Sequence, residues 1–343
     1  MDRVNALDNV AFSARDIAPV SGARAYFTSG NPLTATPATT FPGYWANMVQ
    51  DELVAVIAAA GITPDDTNWG QLLQAIQTLG RIKVSGLTLY VSNTGSDTAN
   101  TGLSVGSPLL TIQKALSVAS NAYDLAGGAL YIDLANGTYA GAVIAGWSVR
   151  GPVFITGNLS SPGSVVISAP ASSCFTVVQM GYLTIAGMTL TAPGGVYVDY
   201  DVNGMCLVAD NASTIVLGAD LVFGVAGYCH ISADRSSCVT VAGAGGGYTI
   251  TGGTGVHWVG GTGGNITTAD STIVLTGTPN FSIAFASITE GATINCWGST
   301  FTGGATGVRF GVYANAVIET QGAGINYLPG SIAGVQATGG LLI

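Results

Sequence analysis

Mostly apolar residues two positions apart recur along this chain as Val153/Ile155, Leu183/Ile185, Ile215/Leu217, Cys238/Thr240, Ile273/Leu275, Ile294/Cys296 and Ile318/Thr320. Residues two apart face one side of a β-strand. The pairs follow one another in steps of 21 to 35 residues, the length of one coil made of three short strands and their turns. Small residues such as Gly187, Gly218, Gly277 and Gly322 fall between the alternations, where a corner must turn without a Cβ clash. The pattern predicts a mainly β chain wound as a parallel β-helix, each inward side chain packing on its equivalents in the coils above and below. The longer steps read as coils with an inserted loop, and loops on a rigid scaffold are where recognition concentrates.

Ahead of this repeat, Leu89-Tyr90-Val91-Ser92-Asn93-Thr94-Gly95-Ser96-Asp97 and then Pro108-Leu109-Leu110-Thr111-Ile112-Gln113-Lys114-Ala115-Leu116 read as a strand, a Gly/Asp/Asn loop and a short helix. The stretch resembles the entrance of pectate-lyase-like right-handed β-helices, and the resemblance implies that the helix caps the open end of the solenoid. Composition agrees with this architecture. Gly accounts for 50 of 343 residues and charged residues for 8%, against roughly 25% in an ordinary soluble domain. Exposed faces must then be made of Ser, Thr, Asn and Gly, which suits flat stacked sheets covered by other subunits or by hydroxyl-rich ladders. Hydrophobic residues make up 48% of the chain, enough apolar surface to exclude intrinsic disorder.

A net charge of −9 argues against nucleic acid, whose phosphates are held by Lys and Arg. Beyond residue 83 only Lys114, Arg150, Arg235 and Arg309 oppose eleven acids, a balance that favours a neutral or amino-sugar glycan over a strongly anionic one. Cys174, Cys206, Cys229, Cys238 and Cys296 are odd in number and lack C-x-x-C spacing, so they read as buried small hydrophobes rather than a disulfide framework or zinc site. No metal and no cofactor are expected. Residues 1–16 lack the apolar run of a signal peptide, and residues 53–60 are too short a stretch to span a bilayer. This predicts synthesis in a host cytoplasm without membrane insertion.

Residues 1–83 have a different texture. A proline-containing leader gives way to a period of three to four at Trp45, Met48, Val49, Leu53, Val56, Ile57 and Ala60, and a second, shorter period at Trp69, Leu72, Leu73, Ile76 and Leu79. These predict two helices separated by Gly61 and Thr63-Pro64-Asp65-Asp66, a small core that needs a partner surface. Three blocks carry a second resemblance: Phe41-Pro42-Gly43-Tyr44-Trp45-Ala46-Asn47-Met48-Val49-Gln50-Asp51-Glu52-Leu53, then Ile57-Ala58-Ala59-Ala60-Gly61-Ile62-Thr63-Pro64-Asp65, then Gln71-Leu72-Leu73-Gln74-Ala75-Ile76. Their order is similar to that in the amino-terminal region of bacteriophage and prophage tail-fibre proteins. The resemblance implies attachment to a phage baseplate or tail protein through this segment, with Tyr44, Trp45, Val49, Leu53 and Ile57 as contact residues. At the other end, residues 322–331 look like the closing motif of phage structural β-helices. The expected division is 1–83 for attachment, 84–322 for the solenoid with its cap helix, and 323–343 for closure.

For chemistry, His230 and His257 lack a metal-ligand spacing and read as structural, and Ser occurs in no G-x-S-x-G elbow. Carboxylates are the better candidates, since glycosidases work with an Asp/Glu pair. Asp199 and Asp201 share a strand face, Asp210 and Asp234 fall on adjacent coils with Arg235 beside the latter, and Asp270 and Glu290 extend the set. Turn duty at coil corners is the competing role for Asp210, Asp234 and Asp270. Lyase chemistry lacks a lysine base in the solenoid beyond Lys114. Aromatic residues Tyr197, Tyr200, Tyr228, Tyr248, Trp258 and Trp297 are candidates for stacking on sugar faces. The combined reading is a virion tail fibre or tailspike, homotrimeric, that adsorbs to a bacterial surface polysaccharide or lipopolysaccharide. A glycan-hydrolysing enzyme on the same fold and a fibre without a receptor remain as alternatives.

Overall fold

The computed structural model describes residues 11–15, 28–29, 31–194, 203–243 and 245–343, and the chain divides into two compact units, Met1–Ile82 and Lys83–Ile343. In the first unit, α1 (Gly43–Ala59) and α2 (Gln71–Leu79) form a helical hairpin. Gly61, at φ +73°, ends α1: its N–H donates to the Ala58 carbonyl and that of Ile62 to the Ile57 carbonyl, the paired bonds of a Schellman motif. The connection to α2 is clasped by Gln71, whose amide donates to the Thr63 carbonyl and accepts from the Asp65 N–H. Val54, Ile57 and Ala75 make the buried seam. Of the attachment residues expected from the sequence, Ile57 is therefore core and unavailable to a partner, while Tyr44, Trp45, Val49 and Leu53 are half-buried. Exposed apolar residues among those described in this unit include Met48 on α1 and Trp69, Leu73, Ile76 and Leu79 on or beside α2.

The second unit is a parallel β-helix. Strands stack into sheet I, with ten strands from Leu87–Val91 to Leu341–Leu342, sheet II, with seven from Gly137–Tyr139 to Thr300–Thr302, and sheet III, from Ala142–Ala145 to Val335–Gln336. Among the described residues, seven consecutive coils place a strand on all three sheets. One inward row of sheet I runs unbroken through Leu87, Leu130, Val153, Leu183, Ile215, Val239, Ile266, Ile294, Ile318 and Leu342. From Leu130 on, its steps are 23 to 32 residues.

Two of the pairs read from the sequence are displaced. Cys238 and Thr240 lie on the outward phase of their strand, with Val239 fully buried beside them, and Ile273 and Leu275 line sheet II, the sheet I position in that coil being Ile266. A shift of one residue exchanges the two faces of a strand, and Cys and Thr are small enough for either.

The corner from sheet III to sheet I is itself a repeat. Successive left-handed residues occur at Gln179/Met180, Asn211/Ala212, Arg235/Ser236, Thr262/Gly263, Glu290/Gly291, Ala314/Asn315 and Thr338/Gly339, the conformation of a tight type I′ turn. Only three of these seven pairs contain glycine, so the left-handed strain of the rest, ~1–2 kcal/mol per residue, must be offset by neighbours. Stacking does this: Met180, Ala212 and Ser236 donate their N–H groups to the carbonyls of Asn211, Arg235 and Thr262 one coil on. Buried Ser213 and Ser237 extend the ladder, accepting from the N–H groups of Gly181 and Ser213.

The two ends of the solenoid differ. At the first, α3 (Ile112–Ala122) buries Ile112, Ala115, Leu116 and Ala119, and Asp97 ties down its start by accepting from Leu110 N–H, Thr111 N–H and the Thr111 hydroxyl. At the second, Leu328 is buried and the Tyr327 hydroxyl reaches the carbonyls of Cys296 and Ser299. Residues 323–343 also contribute strands Val335–Gln336 and Leu341–Leu342 to sheets III and I, so they continue the solenoid rather than form a separate closure.

Replacing Ile215, fully buried in the inward row, by Ala is expected to cost about 2–5 kcal/mol. Thr240→Ala, on the outward phase of the neighbouring coil, should stay within about 0.5 kcal/mol. Denaturant titration of the two variants checks the assignment of faces.

Candidate functional site

The acids expected on adjacent coils do stack. Ala209 pairs with Ala233, which puts Asp210 and Asp234 at equivalent places in successive III-to-I corners. Their carboxylates serve the turns. Asp210 accepts from the Asn211 N–H at 2.8 Å and from Arg235 Nε at 2.9 Å, and Asp234 accepts from the Arg235 N–H at 2.7 Å. Arg235 is thus the ion partner of Asp210, one coil back, while its backbone N–H serves Asp234. Asp270, also left-handed, sits in a different corner, between sheets I and II, while Glu290 accepts from the Thr262 hydroxyl at 2.7 Å. Asp199, Asp201, Tyr197 and Tyr200 lie outside the described residues.

Trp258, expected at a glycan surface, is fully buried, so it has no face to offer a sugar. Its flanking glycines let the strand Thr254–Gly260 pack closely, and the ring meets Phe285 edge-on at 4.8 Å. Tyr228 is half-buried against a small cluster of Met205, Val208, Cys229 and Val256. Trp297 is half-buried in a corner where its carbonyl accepts from the Asp270 N–H. Four of the five cysteines are buried and Cys238 is half-buried, all as free thiols.

Trp258 belongs to a fully enclosed polar chain. His230 Nε2 lies 2.8 Å from the Gly224 carbonyl, His230 Nδ1 2.9 Å from His257 Nδ1, His257 Nε2 2.8 Å from the Tyr248 hydroxyl, and Trp258 Nε1 3.0 Å from that hydroxyl. A carbonyl can only accept, so His230 carries its proton on Nε2 and accepts at Nδ1. His257 must then donate from Nδ1 and accept at Nε2 from Tyr248, which accepts from Trp258. One direction satisfies every member with both rings neutral. Burial pushes His230 down to about 4 and, with the added field of His230, pushes His257 well down, while it raises the Tyr248 phenol. Buried among Phe223, Phe281 and Phe285, the chain is inaccessible to substrate and acts as a polar peg of the core.

A cleft of about 600 Å³ opens on the outer face of the first coils, beneath the loop that leads to α3. Tyr90 and Asp133 form its floor, in register on adjacent strands of sheet I, and Ser92, Thr94 and Asn100 rim it. Asn100 gives its amide to the Pro108 carbonyl, leaving the side-chain oxygen to accept. Two residues before Asp133 on the same face, Tyr131 stacks on Phe154 of the next coil at 5.2 Å with 19° between the rings. Asp133 stands apart from the other described acids of the solenoid. Asp97, Asp124, Asp210, Asp234, Glu290 and Glu319 each accept hydrogen bonds, and Asp220 and Asp270 occupy left-handed corner positions that Asp tolerates. Asp133 lies in the middle of a strand with no hydrogen bond or ion pair among the described residues, and desolvation alone raises its carboxyl. The sequence reading missed it; the available signal was an outward Tyr-x-Asp on a strand whose neighbours supply Tyr90 and Phe154.

Comparison with known proteins gives a short likeness. The chain is 42% identical over 53 residues to the uncharacterised protein StfP of Escherichia coli strain K12, a match covering 16% of this chain and 25% of that protein. No protein-family model matches the chain, and no solved structure matches it. No helix among the described residues is long and apolar enough to cross a membrane.

The buried histidines set a pH dependence. Their folded-state values lie below the ordinary 6.5, so below that pH the unfolded chain takes up protons that the folded chain refuses. The stabilisation is full above about pH 6.5, falls as pH drops, and is gone near the folded values. For His230 the loss between pH 7 and pH 5 is about 2 kcal/mol. Denaturant midpoints across this range should fall accordingly, and ¹⁵N ring spectra at pH 7 should show His230 protonated on Nε2 and His257 on Nδ1.

Proposed function

We propose that this chain is a phage or prophage tail fibre or short tailspike that adsorbs to a bacterial surface polysaccharide or lipopolysaccharide. The observation that carries this reading is the outward row of sheet II: Thr138, Val166, Thr189, Val222, Thr249, Val274 and Thr302 follow one another in register over seven coils without a charge. Such an uncharged, β-branched row suits contact with further copies. Three copies would cover one another's faces and present three equivalent receptor sites, so that weak single contacts add as avidity.

The helical unit supports the anchoring half of the reading. Its three sequence blocks are similar to tail-fibre attachment regions, and the exposed stripe of Trp69, Leu73, Ile76 and Leu79 is the surface that would meet a tail or baseplate protein. The short likeness to an E. coli protein makes enteric bacteria the first hosts to test.

Light scattering on the purified chain should give a mass about three times 34.3 kDa, and fluorescently labelled protein should bind some members of a panel of E. coli cells and their purified lipopolysaccharides and capsules. A monomeric mass together with no binding across the panel would overturn the reading. Release of reducing ends from a bound polysaccharide would instead make the chain a hydrolase.

A further inference from the structure

We propose that the cleft at the first coils is a binding site for a neutral hexose unit of a surface polysaccharide, with Asp133 as the hydroxyl-pairing group and the Tyr131–Phe154 pair, which adjoins the cleft on the same outward face, as its stacking platform. This inference rests on the adsorption reading for its biological ligand and on the geometry for its location. The stacked Tyr131–Phe154 pair leaves apolar ring surface open beside the cleft, Tyr131 being 45% exposed, and the C–H face of a pyranose is its complement. Asp133 lies about 7 Å along the same strand, which places its carboxylate at the edge of a ring stacked on the platform. There two sugar hydroxyls can donate to its two oxygens.

The rim completes the match. The Ser92 hydroxyl, the Thr94 hydroxyl 2.9 Å from it and the Asn100 oxygen supply further donors and acceptors, and the volume lies within the range of small-molecule sites, about 300–1,000 Å³. Among the described residues, Asp133 is the only charged one lining the cleft. A uronate or phosphorylated sugar would bring a second negative charge against it with no Lys or Arg in that lining to compensate, so the site selects neutral rings. That same lack of cations removes single-stranded nucleic acid, which also stacks on aromatic rings but needs a basic groove.

Immobilised enterobacterial polysaccharides with neutral repeats, and others with uronic-acid repeats, would be probed with wild-type protein, Tyr131→Ala, Asp133→Asn and Tyr313→Ala. Tyr313, six coils further along, is an exposed tyrosine outside the cleft. Wild type should bind at least one neutral polysaccharide and no uronate polymer. Tyr131→Ala and Asp133→Asn should each weaken that binding about tenfold or more, while Tyr313→Ala leaves it unchanged. Thermal melts matching wild type show that the variants fold, as expected for exposed positions. Binding that survives both cleft variants overturns the site and leaves the adsorption reading standing. Absence of binding to every polysaccharide overturns the site, and the adsorption reading falls with it only where the cell and lipopolysaccharide panel is also negative and the mass is monomeric. Preference for uronate repeats overturns the assigned ligand class.

Discussion

Each coil of the solenoid is fixed by the one beneath it through in-register parallel hydrogen bonds about 4.8 Å apart, and the rest of the structure follows from that repeat. An inward residue has to fill the space between two equivalents, which is why the sheet I row contains only Leu, Ile and Val from end to end. A corner has to superpose on its neighbours, which is why left-handed pairs recur even where the sequence offers Arg-Ser, Asn-Ala or Gln-Met in place of glycine. Local preference is overruled because each misfit would break hydrogen bonds to two coils at once.

The same constraint explains how a polar chain can sit in the core. His230 and His257 are 27 residues apart and paired through register, since Ile231 opposes Trp258. Stacking brings identical places in successive coils together, so two polar side chains at one place satisfy each other. Tyr248, arriving from sheet II, and the Gly224 carbonyl close the two ends. Removing any one member would strand a buried donor or acceptor, a cost of about 1–3 kcal/mol. The arrangement is therefore a structural commitment, and it fixes which aromatic rings surround it.

Alternation and spacing made the coil legible from the sequence, because few folds besides a solenoid combine period two with a repeat of two to three dozen residues. What stayed hidden was phase. Cys238 and Thr240 suit either face of a strand, and Ile273 and Leu275 obey the same alternation on a different sheet. Trp258, between glycine-rich runs, reads as a surface residue until register places it above Ile231. Spacing puts Asp210 and Asp234 on adjacent coils, but it does not show that Arg235 pairs with the acid one coil away rather than with its sequence neighbour. Asp133 is not legible from the sequence because its neighbours across the sheet, Tyr90 and Thr156, lie one coil to either side. In a solenoid with steps of unequal length, neighbours across the sheet become visible only when each step is known.

A face built on this scaffold is rigid, and rigidity shapes how it recognises anything. The platform of Tyr131 and Phe154 is held at strand spacing on adjacent coils, and Asp133 is fixed along the strand by the pleat, so a ligand need not order the site before binding to it. Little of the surrounding surface adapts, however, and an open cleft with one carboxylate and a hydroxyl rim offers only a few contacts. The proposed site would therefore bind with modest affinity on its own. If copies associate through the uncharged Thr/Val row of sheet II, as proposed, the aromatic patch of sheet I would be repeated on each of them and weak single contacts would add.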